Sequence, residues 1–150
     1  DEQTTYGLHT FTKKFSRSPY FAPGADGYEL FADDNTNEPV LQENAARRER
    51  GSMSRTRPAK WSVRIPVRAR GMVLAGTTLF LAGPPDVIDE EDPYGGFEGR
   101  KGGLLWAVSA ADGKKIAEYK LKTPPVFDGL IAAHGRLYMS TQDGAVECWK

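Results

Sequence analysis

The chain has 150 residues, 39% hydrophobic and 27% charged, a balance that belongs to a folded domain rather than a disordered one. Lys and Arg number 20 and Asp and Glu number 20, so no net field points to nucleic acid or an anionic membrane. No apolar run approaches the roughly 20 residues that a membrane-spanning helix needs, and the single cysteine, Cys148, leaves the redox compartment open.

The chain opens on Asp1 without an initiator methionine, which reads as a mature, cleaved or truncated terminus. Residues 1–60 form an irregular N-terminal part. Asp1–Leu8 has the strand formers Thr4, Thr5 and Tyr6. Residues 9–27 read as a loop punctuated by Pro19, Pro23, Gly24 and Gly27. Tyr28–Ala32 is a short strand, and Asn37-Glu38-Pro39 opens an expected helix over 38–50, with Asn37 as N-cap and Gly51 as the stop. Arg47–Lys60 is polar and basic, a surface loop or, if its arginines converge in space, an anion-binding arm.

From Trp61 the chain becomes repetitive. Residues 61–83 align without gaps on residues 119–141, placing Trp61 on Tyr119, Pro66 on Pro124, Gly71 on Gly129, Leu79 on Leu137 and Phe80 on Tyr138. After an insertion between Gly83 and Gly103 the register continues, with Gly103-Leu104-Leu105 on Gly144-Ala145-Val146. Repeats in the tens of residues, each one sheet unit, point to a radial or stacked β array. Met72–Ala75, Leu79–Ala82, Leu104–Val108 and Leu130–Ala133 are continuous apolar runs, as strands covered on both faces require. Trp61–Val67 and Ile116–Leu121 alternate with charges, as outer strands should. The expected architecture is all-β: a partial β-propeller of four-stranded antiparallel blades, about two of them in this chain. The full blade spans 71–121, with strands at 71–75, 78–82, 103–109 and 115–121. A partial blade spans 129–149, and 61–67 is the outer strand of a preceding blade.

The turn AVSAADGK, residues 107–114, resembles the A-x-D-x-x-T-G-K turn of the quinoprotein-like β-propellers, the PQQ-binding-like repeat proteins that run from alcohol dehydrogenases to BamB-type assembly scaffolds. Gly135–Cys148 resembles the second and third strands of the same repeat, and TTYGL and YELFADD, within residues 1–34, are similar to its third strand. Ser109 stands where that turn usually has Asp, and the tryptophan that usually follows Gly-Lys is absent. The resemblance implies a C-terminal portion of such a protein, acting as a binding or scaffold module in the periplasm or outside the cell, and a bacterial source. Cofactor-using members carry adjacent cysteines and a calcium-bound quinone. One cysteine here implies no cofactor, with PQQ and calcium expected only if the chain is part of a quinoprotein dehydrogenase. A carbohydrate-active propeller is the other enzymatic alternative, its catalytic residues mostly outside this chain. Propellers close with about four to eight blades, so the ring would be completed by a second chain or by a missing N-terminal part.

Alternating strand direction puts the insertion 84–102, the stretch Arg68-Ala69-Arg70 and the connector Thr123–Asp128 on one face. The candidate binding residues there are Tyr94, Phe97, Arg100, Arg68 and Arg70, because exposed aromatics and arginines concentrate contact energy. Three readings of the insertion stand together: a solvated loop, a protein or glycan contact, and a calcium site using Asp89 and Asp92. The run Asp89-Glu90-Glu91-Asp92 lacks the alternating spacing of a dedicated calcium loop. His134 is expected as a turn residue, Cys148 as a small core residue, and Trp61, Trp106 and Trp149 as packing aromatics.

Overall fold

The computed structural model describes residues 1–9, 27–42, 52–87 and 89–150, and over these the protein is all-β apart from one helical turn. A first sheet joins β1 (Thr4–His9), β2 (Tyr28–Asp34) and β5 (Trp61–Ile65) in the order β1-β2-β5. A hairpin of β3 (Pro39–Gln42) and β4 (Ser52–Arg55) projects between β2 and β5. The central sheet is a four-stranded antiparallel meander of β6 (Gly71–Ala75), β7 (Thr78–Gly83), β8 (Gly103–Ser109) and β9 (Lys115–Leu121). The third sheet is β10 (Pro125–Ala133), β11 (Arg136–Thr141) and β12 (Val146–Trp149). The one-turn helix α1 (Gly95–Glu98) lies inside the insertion.

The central sheet is covered on both faces, because successive strand residues point to opposite sides. Leu79, Leu81, Trp106 and Val108 face the first sheet, where they pack with Tyr28, Leu30 and Ile65. Ala82, Leu105 and Leu121 face the third, where they meet Leu130, Leu137 and Met139. A sheet buried on both sides has no polar face, which is why its inner strands read as unbroken apolar runs. The repeat seen in the sequence is a repeat of register. Met72 pairs with Leu81 as Leu130 pairs with Met139, and Leu79 pairs with Val108 as Leu137 pairs with Trp149.

The gap between the central and third sheets is not uniform. At β6 it is narrow: β6 lies directly against β10, and a Cβ at Gly71 would stand only 2.8 Å from the Leu130 Cβ. Towards β9 it is wide enough to admit whole aromatic rings, with Tyr119 and Trp149 5.6 Å apart between centroids. On the other side of the central sheet, Trp61 of β5 lies against the β8–β9 turn and donates its indole N–H to the Ala110 carbonyl at 3.0 Å.

Several expectations are corrected. Residues 39–42 form a strand, so the helix expected over 38–50 does not start there; residues 43–50 lie outside the described ones. Asn37 does not cap a helix. Its side chain donates to Asp33 Oδ1 at 2.8 Å and to the Arg57 carbonyl at 2.9 Å, and accepts from the Arg57 N–H at 3.0 Å, closing the base of the hairpin. β1 is the neighbour of β2 rather than a second copy of it, pairing Tyr6 with Ala32 and Leu8 with Leu30. Cys148 is exposed, because it lies on the edge strand β12, opposite the half-buried Tyr138 of β11, and no further strand covers β12 among the described residues. His134 adopts φ 51° in the turn between β10 and β11, as its turn role requires.

Candidate functional site

The ends of β5, β7, β9 and the start of β10 converge on one rim of the stack. The backbone ties them together: the Arg68 N–H donates to the Pro84 carbonyl at 2.9 Å, Arg70 N–H to Ala82 at 2.8 Å, and Asp128 N–H to the Arg70 carbonyl at 2.9 Å. The Gln142 N–H reaches the Pro124 carbonyl at 3.1 Å. Close approach here demands glycine. A Cβ at Gly83 would fall 2.0 Å from the Arg68 carbonyl oxygen, and one at Gly99, already at φ 87°, 2.6 Å from Pro124.

Arg68 and Arg70 are both buried, so their roles are internal. Arg68 Nε donates to Asp86 Oδ1 at 3.0 Å in an ion pair with 7% and 10% side-chain exposure. Burial pushes the Asp86 carboxyl above its ordinary value, and Arg68 pulls it back. Arg70 donates Nη2 to the Phe97 carbonyl and Nη1 to the Pro125 carbonyl at 3.4 Å, which pins the insertion to the connector. Burial pulls its guanidinium below the usual value. Its guanidinium carbon also stands 5.3 Å from the centroid of the Phe127 ring.

The insertion is held by its own charges. Arg100 bonds Asp92 through Nε at 3.1 Å and Nη2 at 2.5 Å, and pairs with Glu98. Lys101 Nζ meets Asp89 Oδ2 at 2.5 Å. These bonds hold Asp89 and Asp92 below the usual carboxylate range, Asp89 chiefly through Lys101 and Asp92 chiefly through Arg100. Both calcium candidates thus face cations of the same loop, and among the described residues no three His, Cys, Asp or Glu side chains form a group able to hold a metal.

Of the five expected binding residues, the structure brings Arg68, Arg70 and Phe97 together as the anchor of the rim and leaves Tyr94 (52% exposed) and Arg100 on its outside. Phe127, 68% exposed and braced by Arg70, was not among them, nor were Val126 and Val87. Phe127 precedes Asp128, a non-glycine residue at φ 55°, in a break of the β10–β11 register between Pro125 and Leu130. The signal for it was available: an apolar pair between Pro125 and Asp128-Gly129 is out of phase with the strand that follows. No helix among the described residues is long and apolar enough to cross a membrane. No protein-family model matches the chain, and no curated protein matches it.

Proposed function

We propose that the chain is a portion of a PQQ-like-repeat β-propeller that works outside the cytoplasm as a protein-binding or scaffold module. The observation that carries the reading is the wedge between the central and third sheets: the gap is closed by a glycine backbone at Gly71 and Leu130 and admits whole aromatic rings at Tyr119 and Trp149. Sheets that diverge from a common inner edge pack radially, whereas the layers of a sandwich stay about 10 Å apart throughout. The repeated register supports the same reading, as does the resemblance of residues 107–114 to the family's turn. In this reading the first, central and third sheets are consecutive blades, and the ring is completed by polypeptide beyond residues 1–150.

The contact surface is the rim. Tyr94 and Val87 of the insertion and Val126 and Phe127 of the connector are large apolar side chains left exposed on two segments that the buried Arg70 ties together. Rigid, exposed aromatics are effective anchors because little entropy remains to be lost on binding. The valines beside them favour a polypeptide over a glycan, whose rings would use aromatic faces and polar groups.

A photo-reactive phenylalanine derivative placed at position 127 or 94 tests this in cells, with position 120 on the outer strand as the control. The reading expects a discrete protein cross-linked from 127 and 94 and absent from 120. Cross-links to carbohydrate alone, or the same products from all three positions, would overturn it.

A further inference from the structure

Between the central and third sheets the structure holds a cleft of about 600 Å³, lined by Phe80, Leu105, Tyr119, Gly135, Leu137 and Trp149. Its counterpart on the other side of the central sheet is full. There the β8–β9 turn occupies the space. The Ala110 N–H donates to the Thr77 carbonyl at 2.9 Å, the Ala110 carbonyl accepts from the Trp61 indole, and the Gly113 backbone lies against the Trp61 ring, where a Cβ would stand at 2.6 Å.

The sequence repeat carries each of these seats into the open cleft. Trp61 aligns with Tyr119 and Thr77 with Gly135, and both line it. β12 borders the cleft with one edge on β11 and, among the described residues, nothing on the other. β8, its counterpart, has β9 on that edge. Val146 at 70% exposure and the exposed Cys148 stand where Leu105 and Ala107 of β8 are buried.

We infer that this cleft and the β12 edge form a receptor for one strand-and-turn segment of polypeptide with the pattern of Ala110–Leu121. The segment lays a small residue against Gly135 and a glycine at positive φ against the Tyr119 ring, then runs antiparallel to β12. Glycine is required at the ring because any side chain there fills the space that the ring needs, as at Gly113, whose φ is 74°. Main-chain pairing with β12 supplies affinity, and the glycine supplies selectivity. The inference rests on the propeller reading only for why such a segment should exist; the cleft and the edge stand without it.

The test supplies the segment in trans. A synthetic peptide with the sequence of Ser109–Leu121 is titrated into the 150-residue chain, and amide hydrogen exchange of β12 is followed. The expected result is saturable one-to-one binding that slows exchange at Val146 and Cys148, whose N–H groups point away from β11. Binding should weaken at least tenfold for a peptide with valine in place of the glycine, and for the Tyr119→Ala chain. Tyr119 is 46% exposed, so that variant keeps its fold. Unchanged exchange at β12, or equal binding by the valine peptide, overturns the inference. So does protection of β12 that rises with protein concentration alone, since a second copy would then be the occupant. Neither failure touches the wedge of the sheets, which is measured separately.

Discussion

The indole of Trp61 lies against the backbone of Gly113, with its N–H on the Ala110 carbonyl at 3.0 Å. One ring thus joins β5 of the first sheet to the turn between the third and fourth strands of the central one. Trp61→Phe keeps an aromatic ring, though a smaller one, and removes the donor; the lost hydrogen bond should cost about 1 kcal/mol. Gly113→Ala puts a Cβ at 2.6 Å from the ring and an L side chain at φ 74°, and should cost upwards of about 2 kcal/mol. Urea unfolding of the two variants checks the order; equal effects would mean that the ring does not set the approach of the sheets.

The buried Arg68–Asp86 pair fixes the start of the insertion to the β5–β6 stretch. Arg68→Met leaves a buried carboxylate without its cation and should cost about 3–5 kcal/mol at neutral pH. Asp86 already has a folded pKa raised above the unfolded one, and losing Arg68 raises it further. A raised folded value makes stability greatest in acid and lowers it as pH rises, so the variant should recover towards acid. The double variant Arg68→Met/Asp86→Leu should lose much less than the single one. Denaturation midpoints across pH 3–7 give both results.

Asp33 behaves in the opposite sense. Its buried carboxylate is held below the usual range first by the hydrogen bond from Asn37, then by the Asp34 N–H and by Arg55, against the effect of burial. A depressed folded pKa contributes stability that is present above the unfolded value of about 4 and lost as pH falls through the folded value. Protection of the β3–β4 hairpin amides should therefore fall below about pH 4, and Asp33→Asn should flatten that dependence. A hairpin equally protected at pH 2.5 and pH 6 would remove Asp33 from its anchor role.

Phe127 is exposed, and its ring centroid lies 5.3 Å from the Arg70 guanidinium carbon. Phe127→Ala should change stability by no more than about 1 kcal/mol while abolishing the cross-linking partner expected at the rim. A variant that unfolds would make Phe127 a packing residue and move the contact surface elsewhere.

Strand positions and register from Trp61 onward were legible because both-face burial writes continuous apolar runs and because the repeat aligns without gaps. The hairpin at 39–55 was not. Asn37-Glu38-Pro39 has the chemistry of a helix start, but Asn37 spends its side chain on Asp33 and Arg57, a bond across twenty residues that no local pattern announces. The rim was half legible. Strand alternation brought Arg68, Arg70 and the insertion to one place. It could not tell that the arginines are buried anchors, because whether a cation faces solvent or a carbonyl is decided by tertiary contacts such as Arg70 with Phe97 and Pro125. Phe127 was read as part of a connector because its exposure follows from the break in β10.

The proposed radial stacking of the three sheets is tested most directly by electron–electron distance measurements between spin labels at two pairs of sites. One pair joins His9 of β1 to Tyr138 of β11, with Cys148 replaced by serine; the other joins Glu29 of β2 to Cys148 of β12. His9 pairs with Glu29 and Tyr138 with Cys148, so the two measurements sample the same height one strand apart. Consecutive propeller blades predict a distance for the second pair that is longer by at least one strand spacing, about 5 Å. Equal distances would mean parallel layers and would contradict the propeller.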